Sequence, residues 1–492
     1  MLYNEKAEAI TGCLSGNRCR GEYMMWNLKK FESSTAMIED GGRSMTYREL
    51  EEESARIGEC LRKRSLAFLF CENRMDSVLG YVACLEHDVV PVLLKHDLDV
   101  KLRAELFRAY RPDYIYLPKE TAKDFAGMSV LCEETDYLLL DTGENELPVP
   151  DPELALLLTT SGSTGSPKLV RLTYRNIAAN TASIVEYLGI TEDERAITTL
   201  PMNYTYGLSI INTHLMAGAC LCMTDVSIIR SEFWEFFEKV QATSFGGVPY
   251  TYEILYKLRF TRRKQPSLRY MTQAGGKLSP ELHKIFAKYA QENGKQFIVM
   301  YGQTEATARM GYLPGEKALE KYGSMGIAIP GGTLWLRDGS GKRIEKPGEV
   351  GELVYEGENV TLGYAQQRED LAKGDERGGI LETGDMAYFD EDGYFFIVGR
   401  LKRFLKLFGN RVNLDETERM LREAFPDVEL ACGGQDDRMK IYVVSEDEDL
   451  LQEIRYFLSD RTGLAASGFL SVPVSEIPRN EAGKIRYHLL EG

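Results

Sequence analysis

Leu156-Leu-Leu-Thr-Thr-Ser-Gly-Ser-Thr-Gly-Ser-Pro-Lys168 is an apolar strand that runs directly into hydroxyl and glycine residues and ends on a lysine. Such a loop presents Thr160, Ser161, Ser163 and Thr164 as hydroxyl donors and Lys168 as a cation. Gly162 and Gly165 free backbone N–H groups to approach an anion closely, because no Cβ holds it off. The segment reads as a polyphosphate cradle, with a flexible Ser/Gly turn as the alternative on composition alone. It is not the common P-loop. Gly-x-x-x-x-Gly-Lys-Ser/Thr cannot be fitted, and Pro167 resists the helix that normally follows.

Outward from this loop, short apolar runs with β-branched or aromatic content alternate with segments of helical spacing. Residues 66–70, 89–94, 114–117 and 137–140 read as strands, and 47–61 and 176–187 as helices. The alternation predicts an α/β fold, with a large N-terminal domain of mixed sheets covered by helices. After about Thr333 the strand-like stretches 333–337, 351–356 and 393–398 follow one another with turn signals such as Asp338-Gly339 and Asp392-Gly393 between them. No long helix intervenes, so an antiparallel β subdomain is expected there. The final segment carries helix signals at 415–425 and 449–459 and a strand at 439–444, which makes a small α+β C-terminal domain. The boundary is placed at Arg400 to Lys402, dividing the chain into 1–400 and 401–492.

A chain of 492 residues exceeds what one hydrophobic core usually supports. The net charge of -16 and a pI near 5.1 exclude a protein that coats nucleic acid, since phosphate neutralisation needs clustered Lys and Arg. Any anionic substrate must therefore meet a local positive site. Nine cysteines and five histidines show no C-x-x-C or paired Cys/His spacing, so no zinc site is expected and the cysteines read as core residues of a reducing compartment. The start, Met1-Leu-Tyr-Asn-Glu-Lys-Ala-Glu, lacks the basic-then-apolar pattern of a signal peptide. No apolar run approaches the ~18 residues of a membrane span. A cytoplasmic protein with no membrane span is the expectation.

Thr160-Ser-Gly-Ser-Thr-Gly-Ser-Pro-Lys168 resembles the signature loop of the adenylate-forming superfamily, which contains acyl- and aryl-CoA synthetases, the adenylation domains of nonribosomal peptide synthetases, and firefly luciferase. The match recurs in order along the chain. Tyr301-Gly-Gln-Thr-Glu-Ala306 resembles the second core motif; Gly351-Glu-Leu with Gly357 and Gly363-Tyr364 the third; and Thr383-Gly-Asp385 the fourth. Gly399-Arg400 with Lys402, Lys406, Gly409 and Arg411 resembles the hinge region, and Pro478-Arg-Asn-Glu-Ala-Gly-Lys484 the terminal lysine motif.

The resemblance implies a two-step reaction, in which a carboxylate attacks the α-phosphorus of ATP and the acyl group of the resulting adenylate then passes to a thiol. It implies that Glu305 ligates Mg2+, as a hard cation prefers oxygen. Thr304 would donate to the α-phosphate, and Tyr301 would offer a ring face to adenine, although it also reads as a core aromatic closing its strand. Gly302, Gln303, Gly275 and Gly276 would flank the nucleotide. Asp385 would hold the ribose hydroxyls, yet alone it reads as a strand-end cap. Arg400 would reach ribose or phosphate, where a surface salt bridge is the plainer reading. Lys484 would insert between the acid and the α-phosphate, and the C-terminal domain would rotate about Lys402 between the two steps.

Tyr204 and Thr205, with Gly246 and Gly247, are expected to line the acid pocket. Amino-acid-activating relatives carry an Asp where Thr205 stands here, and a buried ammonium without such a partner is costly. The glycines could leave space for an aliphatic or aryl chain, or serve tight turns. The resemblance thus implies an AMP-forming acid–thiol ligase acting on a small carboxylic acid. Its acceptor would be CoA or the phosphopantetheine of a separate acyl or peptidyl carrier protein, met by basic residues that include Arg403, Arg411, Arg479 and Arg486. A stand-alone amino-acid adenylation enzyme charging a carrier protein is the second reading. A nucleotide-binding relic is the third, and it would be free to lose Glu305, Asp385, Arg400 and Lys484, all of which are present.

Overall fold

The strand Leu66–Cys71 is buried along its whole length, as a parallel strand covered on both faces must be. It pairs in parallel with Val90–Lys95 on one side and Tyr114–Pro118 on the other. Leu154–Thr159 continues the parallel set, and Leu169–Thr173 and Gly363–Ala365 add antiparallel strands at the edge of this eight-stranded sheet. These elements come from a computed structural model that describes residues 25–144, 147–159, 168–408, 410–435, 437–479, 483 and 485–491. Thr160, Ser161, Gly162, Ser163, Thr164 and Gly165 of the loop, and Lys484 of the terminal motif, lie outside the described residues, as does the side chain of Lys402.

A second sheet has nine strands, and six of them, Gln296–Tyr301, Tyr270–Gln273, Ser244–Gly247, Arg195–Ile197, Cys220–Met223 and Thr35–Glu39, run parallel. Their carboxyl ends carry Tyr301, Gln273 and Gly247 to one rim, the usual ligand-binding edge of a parallel sheet. The third sheet is the expected antiparallel one, formed by Arg343–Ile344, Gly332–Arg337, Gly351–Gly357, Ile380–Phe389 and Phe395–Arg400. The last of these starts two residues later than its sequence pattern suggests. Asp390 explains the delay: its side chain accepts from the N–H groups of Asp392 and Tyr394 at 3.0 and 2.9 Å, and the turn takes up Gly393 at φ +80°.

Local chemistry sets the helices. Thr173 and Asn176 form a reciprocal cap for Tyr174–Leu188, and Gly189 ends it at φ +62°. Such a cap contributes about 1 kcal/mol. Thr46 and Glu49 do the same for Tyr47–Gly58, which stops short of the expected residue 61. Beyond Arg400 the chain builds a separate core, with Leu405, Leu421, Ile441, Ile454 and Phe469 packed together and helices Leu414–Ala424 and Glu448–Thr462 on a three-stranded sheet. The described cysteines are free, and five of them are buried. Among the described residues no helix is long and apolar enough to cross a membrane.

Candidate active site

The segment Tyr301 to Arg309 leaves the parallel sheet and doubles back sharply. A Cβ at Gly302 would lie 1.6 Å from the carbonyl oxygen of Ala308, so only glycine fits. The turn Thr304–Ala306 is followed by Thr307 at φ +60° and Ala308 at φ +128°, backbone regions that cost L-residues free energy. Asn359 holds this shape: its Nδ2 donates to the carbonyls of Ala306 and Arg309 at 2.8 and 3.0 Å, and its own carbonyl accepts from Thr307 Oγ1 at 2.7 Å. Thr361 Oγ1 donates to the Glu305 carbonyl at 3.0 Å. The loop is over-determined by these hydrogen bonds.

Glu305 belongs to this loop. Tyr364 Oη donates to Glu305 Oε1 at 2.7 Å, and Lys168 Nζ sits over the Tyr364 ring at 3.4 Å from its centroid. The structure therefore brings the lysine that closes the Ser/Gly loop to the carboxylate of the second motif, with one tyrosine between them. Burial, and then the charge of Glu305, push the Tyr364 hydroxyl up to about 12, which keeps it a donor at neutral pH. Sequence reasoning gave Tyr364 no role. Its signal was its membership, with Gly363, of the third core motif.

A second cluster lies around Asp385, which is 4% exposed. Asp385 is not a strand-end cap. It sits inside Ile380–Phe389 opposite Arg400, next to a register shift, with Gly384 at φ +70°. Its Oδ2 accepts from Tyr301 Oη at 2.5 Å and from Gln303 Nε2 at 3.0 Å, and its Oδ1 faces Arg400 Nε at 3.0 Å. Arg400 is mostly solvent-exposed, and its contact with Asp385 is the salt bridge that was its plainer reading. Tyr301 presents its hydroxyl to Asp385, and burial with that carboxylate raises its pKa strongly.

Thr205 opens the helix Thr205–Ala217, and its hydroxyl is 2.9 Å from that of Thr304. Tyr204 and Tyr206 then occupy the space that the glycines leave. A Cβ at Gly275, where φ is +84°, would lie 2.6 Å from Tyr204 Oη, and one at Gly246 would lie 3.0 Å from Tyr206 Oη. At Gly247 it would meet Tyr252 at 2.9 Å, and at Gly276 Pro249 at 3.1 Å. Of the two readings that these glycines allowed, space for an acyl chain or close packing, the distances fit close packing: the missing Cβ atoms admit neighbouring side chains.

Gly483 of the terminal motif lies near the same rim. Gly483 turns at φ +74°, its carbonyl accepts from Arg479 at 3.0 Å, and its Cα faces Tyr250, 3.3 Å from a would-be Cβ. Tyr250 lies on the helix that follows Ser244–Gly247. Arg403 is not available for an acceptor. It pairs with Asp415 and Glu418 and stacks on Tyr487 inside its own domain. Among the described residues no three His, Cys, Asp or Glu side chains cluster into a metal cage. The donor set fits an ion of the Mg2+ type only if phosphate oxygens complete its shell around Glu305.

Two carboxylate clusters, around Glu305 and Asp385, lie near the carboxyl rim of a parallel sheet. The model of the AMP-binding enzyme family matches residues 25–365, and the chain belongs to that family. It is an AMP-forming acid–thiol ligase by class. The chain is 30% identical over 424 residues to feruloyl-CoA synthase of an Amycolatopsis species, covering 83% of this chain and 84% of that one. It is 31% identical over 320 residues to oxalate–CoA ligase of Arabidopsis thaliana, a stretch that is 64% of this chain and spans 61% of the relative. The O-succinylbenzoate coenzyme A synthetase of Bacillus subtilis, solved in complex with AMP, superposes with a TM-score of 0.76 at 24% identity over 94% of this chain and 98% of that one, a likeness of fold.

Proposed function

We propose that this enzyme activates a small carboxylic acid with ATP and passes the acyl group to the thiol of coenzyme A. The observation that supports it most is the presentation of the Glu305 carboxylate by Tyr364 beside Lys168, where the Ser/Gly loop ends. In the first step an acid oxygen attacks the α-phosphorus, the bond to pyrophosphate breaks, and pyrophosphate leaves with its electron pair. Thr304 donates to the α-phosphate, and Lys168 and the cradle, Thr160, Ser161, Gly162, Ser163, Thr164 and Gly165, hold the departing phosphates. Preorganised donors of this kind lower the barrier because they need no reorganisation when charge develops. Mg2+, when bound at Glu305, would neutralise phosphate charge. Asp385 takes the ribose hydroxyls, with Tyr301, Gln303 and Arg400 fixing its carboxylate, and Gly302, Gly275 and Gly276 let the segments that flank the nucleotide pack closely.

In the second step the thiolate attacks the acyl carbon and AMP leaves. The relatives are named as CoA ligases, which supports coenzyme A over a carrier protein. Residues 1–400 form the adenylation domain and 401–492 the mobile one, hinged at Lys402, and Lys484 is assigned to the acid and the α-phosphate in the first step. The acid carries no α-ammonium group, because Thr205 offers it a hydroxyl already shared with Thr304 rather than a carboxylate.

The test separates the half-reactions. Lys484→Ala should slow adenylate formation roughly 100-fold or more, the scale of one lost preorganised charge. Transfer from supplied acyl-adenylate to coenzyme A should survive much better. Equal losses in the two single-turnover assays would remove Lys484 from the first step, and exchange with α-amino acids alone would overturn the choice of substrate class.

A further inference from the structure

Arg309 ends the strained turn that carries Thr304 and Glu305, and it is 2% exposed. Its guanidinium donates to Ser209 Oγ at 2.8 Å and Tyr187 Oη at 3.3 Å, touches Met300 Sδ, and stacks 4.4 Å from the Tyr206 ring centroid. Its Nε has no hydrogen-bond partner, and no carboxylate pairs with it among the described residues. The other fully buried arginines behave differently. Arg171 meets Glu376 at 2.7 Å and Arg368 meets Asp113 at 2.9 Å. An unpaired buried cation costs on the order of several kcal/mol. Among the described residues the other fully buried guanidinium groups are paired with acids, and this one is not.

The place of the exception matters. Arg309 lines a cavity of about 10 Å³, room for about one water, whose walls include Ile184, Ile210, Ser244, Gly246 and Thr272 and no acidic residue. His214 lines it too, but burial pushes its pKa down to about 4, so it adds no charge at neutral pH. Thr205 and Ser209 are one turn apart on the same helix face, about 5–6 Å between Cβ atoms. The first touches Thr304 and the second Arg309. The unmatched cation thus lies one helical turn beyond the hydroxyl assigned to the reacting centre. Tyr206 covers it, with its hydroxyl donating to Thr272 Oγ1 at 2.8 Å, so a ligand reaches the guanidinium only if that ring moves.

We infer that Arg309 receives a second carboxylate at the far end of the substrate, so that the acid is a short dicarboxylic acid. The inference rests on the ligase reading and specifies its substrate. One carboxylate is placed at Thr304 and Thr205 for adenylation, and the other replaces the missing counter-charge. Arg309 is a specificity residue and takes no part in bond making.

The test is acid-dependent ATP–pyrophosphate exchange with matched pairs, succinate against butyrate and glutarate against valerate. In the wild-type enzyme at least one diacid should exceed its monoacid in kcat/KM by about 100-fold, the scale for one desolvated charge pair. The difference should lie mainly in KM. Arg309→Met should erase most of that preference, and Arg309→Lys should restore part of it. The wild-type comparison stands even if a variant does not fold. Equal or better use of both monoacids by the wild-type enzyme overturns this inference alone, as does an undiminished diacid preference in folded Arg309→Met. No exchange with any acid overturns the ligase reading, and this inference with it.

Discussion

Tyr364→Phe removes one hydroxyl and keeps the ring beneath Lys168. That hydroxyl donates to a carboxylate at 2.7 Å, and a hydrogen bond to a charged group contributes about 1.5–3 kcal/mol. If the full bond persists in the transition state, its loss slows adenylate formation about 10- to 100-fold, since ~1.4 kcal/mol is one decade of rate. The lower end is expected, because Glu305 is only half-buried and water can take the vacated place. Pyrophosphate exchange measured across a Mg2+ titration is the assay. The maximal rate should fall and the half-saturating Mg2+ concentration should rise, as a carboxylate free to swing spends less time where the ion binds. Tyr364→Leu also deletes the ring 3.4 Å from Lys168 Nζ and should lose more, by about 0.5–2 kcal/mol. A folded Tyr364→Phe enzyme with wild-type rate and wild-type Mg2+ dependence would refute the claim that this tyrosine aims Glu305.

Gly302→Ala places a methyl 1.6 Å from the Ala308 carbonyl, so the turn must shift; exchange should fall at least about 100-fold, the effect of an ångström-scale misplacement, and wild-type turnover would disprove the fit. Lys402→Pro should leave adenylation in place and block thioester formation by fixing φ at about -65°; normal thioester formation by the folded variant would put the hinge elsewhere. His283 accepts from the Gly323 N–H through Nδ1 at 3.2 Å, and burial pushes its pKa down to about 4. Between about pH 4 and 6.5 the unfolded chain binds the extra proton, so this contribution is complete above 6.5 and lost as pH falls toward 4, up to roughly 3 kcal/mol. Melting curves should show a shallower acid slope in His283→Asn, with the remainder from His214, and parallel slopes would count against it.

Much of the architecture was legible because it is local. Hydrophobic runs such as Leu66–Cys71 stay buried through their length, and Asp392-Gly393 makes the turn its residue types suggest. Glu305 and Asp385 themselves were singled out because the motifs that hold them resemble those of a known family. What sequence could not give was contact between distant segments. Tyr364 meets Glu305 across 59 positions, and Arg309 meets Ser209 across 100. No periodicity records such pairs. The glycines stayed open to two readings for a related reason: a missing Cβ announces close approach without saying what approaches, and at Gly275 and Gly246 the neighbours are Tyr204 and Tyr206. Asp385 looked like a cap because its place inside a ten-residue strand depends on a register shift against Phe395–Arg400.

Arg171 gives the three-residue strand Gly363–Ala365 an unusual status. A short edge strand ordinarily frays, opening and closing far below the free energy of global unfolding. Here the guanidinium of Arg171, 0% exposed, donates to the carbonyls of Leu362 and Lys373 and pairs with Glu376, so the strand cannot lift without stranding a buried charge. Tyr364 therefore shares the cooperativity of the whole eight-stranded sheet. Its amide should exchange with solvent only through global opening, and heat inactivation of the enzyme should coincide with melting of the domain rather than precede it.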